Sequence, residues 1–220
     1  MKDLFNIFFK HYWILFFLFF LWFLHLINYH YSLNFYELGI FPRTFEGLFG
    51  IFFAPLIHSV KDHNHIINNS IPFLILSWAL FYFYHPIAWR VLFFSWILTG
   101  LLVWIFARNS FHIGISGVIY SLLFFLFFSG VFRKDSRLLT VALLVVFIYG
   151  SMFWGIFPYD WKISYESHMA GALVGILLSI FFKNQKATFI KVKTQWEKEE
   201  ELGIDTDDLN GAWKETNDYD

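Results

Sequence analysis

Hydrophobic and polar positions in this chain segregate on the scale of whole helices. Apolar blocks run over residues 13–27, 66–84, 88–106, 113–132, 138–157 and 168–182, separated by polar links. Each approaches the roughly 20 residues that a helix needs to cross ~30 Å of hydrocarbon. Helices are the natural reading, because lipid cannot satisfy unpaired backbone groups and barrel strands would alternate apolar with polar residues. The first block has one interior polar residue, His25, and no small-residue cleavage site, so it reads as a retained span and not as a removable signal. The pattern predicts an all-α membrane protein, a six-transmembrane-helix bundle. A long loop, residues 28–64, joins helices 1 and 2 and rests at the membrane interface, since Pro42, Gly47, Gly50 and Pro55 stand among aromatic residues there.

Composition agrees with the pattern. Of 220 residues, 58% are hydrophobic, 24% aromatic and only 15% charged, too few charges to cover a soluble domain of this size. The mean hydropathy is +0.54. A net charge of −1 supplies no field for nucleic acid, and the absence of cysteine removes thiol catalysis, thiolate metal sites and disulfides.

The position of the charges adds an orientation. Lys2, Lys10, Arg90, Arg133, Lys134, Arg137, Lys183, Lys186, Lys191 and Lys193 fall on the side of the termini, against Arg43, Lys61, Arg108 and Lys162 on the other. This bias predicts cytoplasmic N- and C-termini. The Phe-, Ile- and Asn-rich usage is compatible with a low-GC bacterium, so the expected location is a bacterial inner membrane. Residues 1–10 then form a cytoplasmic N-terminus, 11–182 the membrane domain and 183–220 a cytoplasmic tail. That tail is basic up to Lys193 and suited to anionic headgroups. It is acidic from Glu197 onward and reads as solvated and partly disordered.

Polar groups at membrane depth are costly and mark functional candidates. Gly114-Ile115-Ser116-Gly117 opens the fourth block. A lone serine there would bond back to the preceding turn. Flanking glycines at a helix start change the reading, because they admit close approach of another backbone, and the first-turn N–H groups favour a developing negative charge. Tyr120 lies one turn deeper on the same face. His168, Gly171, Ala172 and Gly175 form a stripe at i, i+3, i+4, i+7 at the head of the sixth block. The glycines read as close helix packing, which would carry the imidazole against its neighbour. Beside Ser116 it would make a nucleophile–base pair. His65 and Asn69 share a face at the start of the second block, as helix caps or as donors to an oxyanion. His58 and His63 lie nearby, but no carboxylate pair completes a metal shell.

These residues carry a resemblance. GISGVIY resembles the active-site serine motif of the rhomboid intramembrane proteases, HMAGALVG their last-helix histidine motif, and HIINN their second-helix motif, in the family's order. The resemblance covers roughly residues 55–182. It implies Ser116 as nucleophile and His168 as general base and then acid. The backbone N–H of Ser116, the amide of Asn69 and the ring of His65 would line an oxyanion hole. Tyr120 would pack on His168, and Gly114, Gly117, Gly171 and Gly175 would support the site. The substrates would be single-span or polytopic membrane proteins in the lipid bilayer, with no cofactor, metal or nucleic acid. Two departures concern the first loop. It holds no Trp-Arg pair, Phe41-Pro42-Arg43 being the nearest basic site, and His58 precedes His65 by seven residues where five is common in the family.

No Asp or Glu falls within the apolar blocks, so the expected chemistry is a serine–histidine dyad without the acid of soluble triads. An aspartyl type would need two Asp in apolar helices, and a zinc type a His-Glu-x-x-His helix, which the chain lacks. The rivals are a rhomboid-like protein that binds membrane clients without cutting them, and a transporter whose polar path runs past the same residues. No internal repeat of the transporter kind is visible.

Overall fold

The computed structural model describes residues 11–158 and 164–185, together with Glu201. The chain divides into two units, residues 1–189 and 190–220, and the first contains the helical bundle. Residues 1–10 and nearly all of the expected tail lie outside the described residues.

The described residues of this unit form seven α-helices and no strand: α1 (Trp13–Tyr31), α2 (Phe45–Phe53), α3 (Asn64–Phe83), α4 (Ala88–Phe106), α5 (Ser116–Arg133), α6 (Ser136–Tyr149) and α7 (Tyr165–Phe181). Four of them, α1, α3, α4 and α5, have 18–20 residues and are apolar enough to cross a membrane. The apolar helices α6 and α7 are shorter, with 14 and 17 residues. Phe16, Phe19 and Phe23 of α1 and Phe147 of α6 are exposed at the surface of the bundle. Such an outward apolar face suits lipid and not water, as in an integral membrane protein.

Helix ends follow from local chemistry. Ser32 after α1 and Lys134 after α5 take the left-handed conformation, with φ 51° and 52°, that closes a helix C-terminus. The Asp135 carboxylate then accepts the N–H groups of Arg137 and Leu138, at 2.9 and 3.5 Å, and starts α6. The fifth apolar block is not one helix. The helix ends at Tyr149 and the chain continues as a 3₁₀ turn, Gly150–Ile156, a change that block length does not register because both halves are free of charged residues.

The central helix is α5, with 12 of its 18 residues buried. The helix packed most closely against it is α7, and glycine makes the approach possible. A Cβ on Gly171 would overlap the Gly117 carbonyl oxygen, and one on Gly175 the Ser121 carbonyl oxygen. Gly171→Ala is therefore expected to push α5 and α7 apart and to cost about 1–3 kcal/mol, the usual penalty of overpacking. A lowered unfolding midpoint in detergent checks this.

The segment between α1 and α3 is folded and not open. It contains α2 and 3₁₀ turns at Phe35–Leu38 and Ala54–Leu56. Ile40 and His112 exchange backbone hydrogen bonds at 3.0 and 2.9 Å, and the Gly114 N–H donates to the Ala54 carbonyl at 2.8 Å, so this segment braces the approach to α5. Arg43, at φ 60°, anchors it to the end of α4. Its guanidinium donates to the carbonyls of Ile105 and Ala107, at 3.1 and 2.8 Å, and to the Asn109 side chain. In return the Trp104 indole donates to the Thr44 carbonyl at 2.8 Å. Arg43 thus satisfies carbonyls that the last turn of α4 leaves open. Arg43→Ala is expected to cost about 1–3 kcal/mol, the range for hydrogen bonds to a charged group, read as a lower thermal midpoint and faster proteolysis in the segment.

Candidate active site

The starts of α3, α5 and α7 come together, and the Gly150–Ile156 turn reaches the last of them through the Gly155 carbonyl. Ser116 is the first residue of α5 and is 7% exposed. His168 lies in the first turn of α7 and is 8% exposed. Its Nε2 is 2.9 Å from Ser116 Oγ, within hydrogen-bond reach. His168 Nδ1 donates to the Gly155 carbonyl at 2.8 Å. A neutral ring with its proton on Nδ1 presents a bare Nε2 to the serine hydroxyl. Tyr120, one turn below Ser116, lies flat on the imidazole, with centroids 4.2 Å apart and planes 10° off parallel. No carboxylate hydrogen-bonds this ring among the described residues; Glu166, two residues before His168, is paired with Arg108 at 3.5 Å.

The space in front of Ser116 is defined by Gly114. Its φ of +103° is a conformation that L side chains rarely adopt. A Cβ there would lie 2.6 Å from His65 Nε2 and 3.7 Å from Asn69 Nδ2, so the missing side chain leaves both nitrogens facing one hollow. Asn69 is 7% exposed, and its Nδ2 has no hydrogen-bond partner among the described residues. The Ser59 N–H makes a long, 3.5 Å bond to His65 Nδ1, which leaves the ring proton on Nε2, toward the same hollow. A buried amide donor without an acceptor is costly unless something else fills that role.

Gly117 lies under the α5–α7 crossing with Gly171, and Gly175 packs one turn deeper, away from the dyad. His58 sets its ring edge-on to His65, with centroids 5.1 Å apart. Burial, followed by the neighbouring His65 and His25, pushes its imidazole down to about 3, so it serves as a neutral packing group. His63 pairs with His25 at 2.8 Å. Among the described residues no three His, Asp or Glu side chains stand close enough to hold a metal ion.

Two features of the site have no counterpart among the residues singled out by sequence. The first is the Gly155 carbonyl. The second is His112, buried in the link before α5. Its Nδ1 meets Ser164 Oγ at 2.6 Å, Ser164 Oγ meets Ser167 Oγ at 2.6 Å, and its Nε2 donates to the Arg108 carbonyl at 3.0 Å. Burial lowers its pKa and keeps the ring neutral. This chain of contacts ties the start of α7, and with it His168, to the link that leads into Ser116.

Known proteins are similar to this chain over part of its length. An uncharacterized protein of Mycobacterium tuberculosis is 32% identical over 149 residues, covering 63% of this chain and 61% of its own length. One of Mycobacterium leprae is 30% identical over 139 residues, covering 59% of this chain and 54% of its own. The chain thus spans less than two thirds of these relatives. Residues 45–185 match the Rhomboid domain. That match takes in α2 through α7, including Ser116, His168, Asn69 and Tyr120, and the protein belongs to the rhomboid family.

Proposed function

We propose that this protein is an intramembrane serine endopeptidase that cuts the transmembrane segments of other membrane proteins. The observation that carries the reading is the 2.9 Å approach of His168 Nε2 to Ser116 Oγ at the start of α5. Beside it lies Asn69 Nδ2, which has no hydrogen-bond partner among the described residues. The rhomboid family consists mainly of proteases of this kind.

In the proposed reaction His168 Nε2 takes the proton of Ser116 as Oγ adds to the scissile carbonyl. The resulting oxyanion accepts hydrogen bonds from the Ser116 N–H, Asn69 Nδ2 and His65 Nε2. The imidazolium passes its proton to the leaving amine, giving an acyl-enzyme and the first product. Water then gives a proton to His168 as its oxygen adds to the acyl carbon; the C–Oγ bond breaks, His168 returns the proton to Ser116 Oγ, and the carboxylic-acid product leaves. All the catalytic groups belong to the chain, so the proposal uses no cofactor.

A helical substrate shields its carbonyls, so it must unwind locally, which favours substrates with small or helix-breaking residues. The reading includes six spans, cytoplasmic termini, a bacterial inner membrane and a site opening on the opposite side. The charge distribution supports that orientation. The test is cleavage of a transmembrane reporter by the purified protein in liposomes, with fluorophosphonate labelling alongside. Ser116-dependent cleavage and labelling are expected. Client binding with no cleavage by the wild type would favour the non-cutting alternative.

A further inference from the structure

Soluble serine proteases orient their histidine with a buried acid on Nδ1. Here the acceptor is a peptide carbonyl from a different element. Gly155 lies in the 3₁₀ turn that follows α6, and its carbonyl takes the His168 Nδ1 proton at 2.8 Å. Its surroundings leave no room for another residue type. A Cβ on Gly155 would overlap the Tyr120 hydroxyl and stand 3.3 Å from His168 Nδ1. The backbone there does not adopt a conformation reserved for glycine, so the demand for glycine is steric and comes from the Tyr120–His168 stack itself.

We infer that Gly155 is a positioning residue: its carbonyl fixes the tautomer and the tilt of His168, and its lack of a side chain lets the Gly150–Ile156 turn rest directly on the stacked pair. Two flat contacts then define the ring. Tyr120 sets its plane from one face, and the Gly155 carbonyl sets its rotation within that plane. With the proton held on Nδ1, the Nε2 lone pair is committed to Ser116. A carbonyl suits this place better than a carboxylate would, because a lone ionised acid in an apolar bundle carries a large desolvation cost.

The consequence for rate rests on the protease reading, whereas the tautomer does not. The same turn contains its own control. A Cβ on Gly150 would meet only Val146 Cγ1, at 3.9 Å, an ordinary contact. Gly155→Ala is expected to lower kcat about 10- to 100-fold, a part of the ~10²–10⁴-fold that a positioned general base supplies. KM should change little, and Gly150→Ala should match the wild type. Adding Tyr120→Phe to Gly155→Ala removes the oxygen that the new methyl strikes, and should recover part of the loss relative to Gly155→Ala alone.

Nitrogen-15 NMR of histidine-labelled protein in micelles reads the ring directly, with His168 assigned by its disappearance in His168→Ala. The wild type and Gly150→Ala should show a protonated Nδ1 and a bare Nε2, and Gly155→Ala a mixed or reversed pattern. A wild-type ring protonated on Nε2 would overturn the inference. So would a Gly155→Ala protein with the wild-type tautomer and rate, or a double variant no better than Gly155→Ala. Failure of the protease reading would appear separately, as a wild type that does not cleave or as cleavage that persists in Ser116→Ala.

Discussion

Ser116→Ala is expected to lower kcat for a transmembrane reporter by roughly 10⁴-fold or more, and His168→Ala to do nearly the same. The double variant should be no worse than either alone, because a nucleophile and its base act as one unit. The reason lies in the single contact between them. Without His168 Nε2 at 2.9 Å, the Ser116 hydroxyl keeps its proton and is a poor nucleophile. Without Ser116, the base has only water to activate. Stability separates this from a folding defect. Ser116→Ala removes one hydrogen bond and no volume that its neighbours fill, so the unfolding free energy should change by about 1 kcal/mol or less. Substrate binding should persist, with KM close to that of the wild type. Equal cleavage by wild type and Ser116→Ala would remove the serine from the reaction. Additive losses in the double variant would mean that the two residues act in separate steps.

The meeting of Ser116 and His168 is legible in the sequence because both sit at the head of a helix whose small residues point the same way. Gly171 follows His168 by three and packs on Gly117, which follows Ser116 by one. A small-residue stripe tells which face of a helix docks, and a polar residue on that stripe must arrive at the same contact. The fold is legible at the same level: apolar blocks mark where helices are. They do not mark where a helix ends inside a block. Residues 138–157 read as one span, yet the chain leaves the helix after Tyr149 and turns back over the site. Gly155 enters the site through that turn, and through its backbone, which carries no side-chain signature. Arg43 is hidden for a different reason. It works through carbonyls some 62 to 64 positions away, and no local pattern predicts which helix end a loop cation will reach.

Asn69 offers a test in which activity and stability should move in different directions. Its Nδ2 is buried beside Gly114 without a partner among the described residues, so in the resting protein these residues give it a desolvation cost and no hydrogen bond. If it donates to the oxyanion, that cost is recovered only in the transition state, where the substrate oxygen carries charge. Asn69→Ala is therefore expected to lower kcat about 10²- to 10³-fold, the usual loss for one oxyanion donor, with KM little changed. Its unfolding midpoint should be equal to the wild type's or higher, because an unsatisfied buried donor has been removed. Activity should not vanish, since His65 Nε2 still faces the hollow and the Ser116 N–H would still donate in the proposed reaction. Asn69→Asp should be at least as damaging as Asn69→Ala, because it replaces a donor with an acceptor next to a developing negative charge. A parallel fall in midpoint and activity would make Asn69 a structural residue of α3. A raised KM with kcat preserved would make it a substrate-binding one. Only a loss confined to kcat, at undiminished stability, identifies a donor that waits for the transition state.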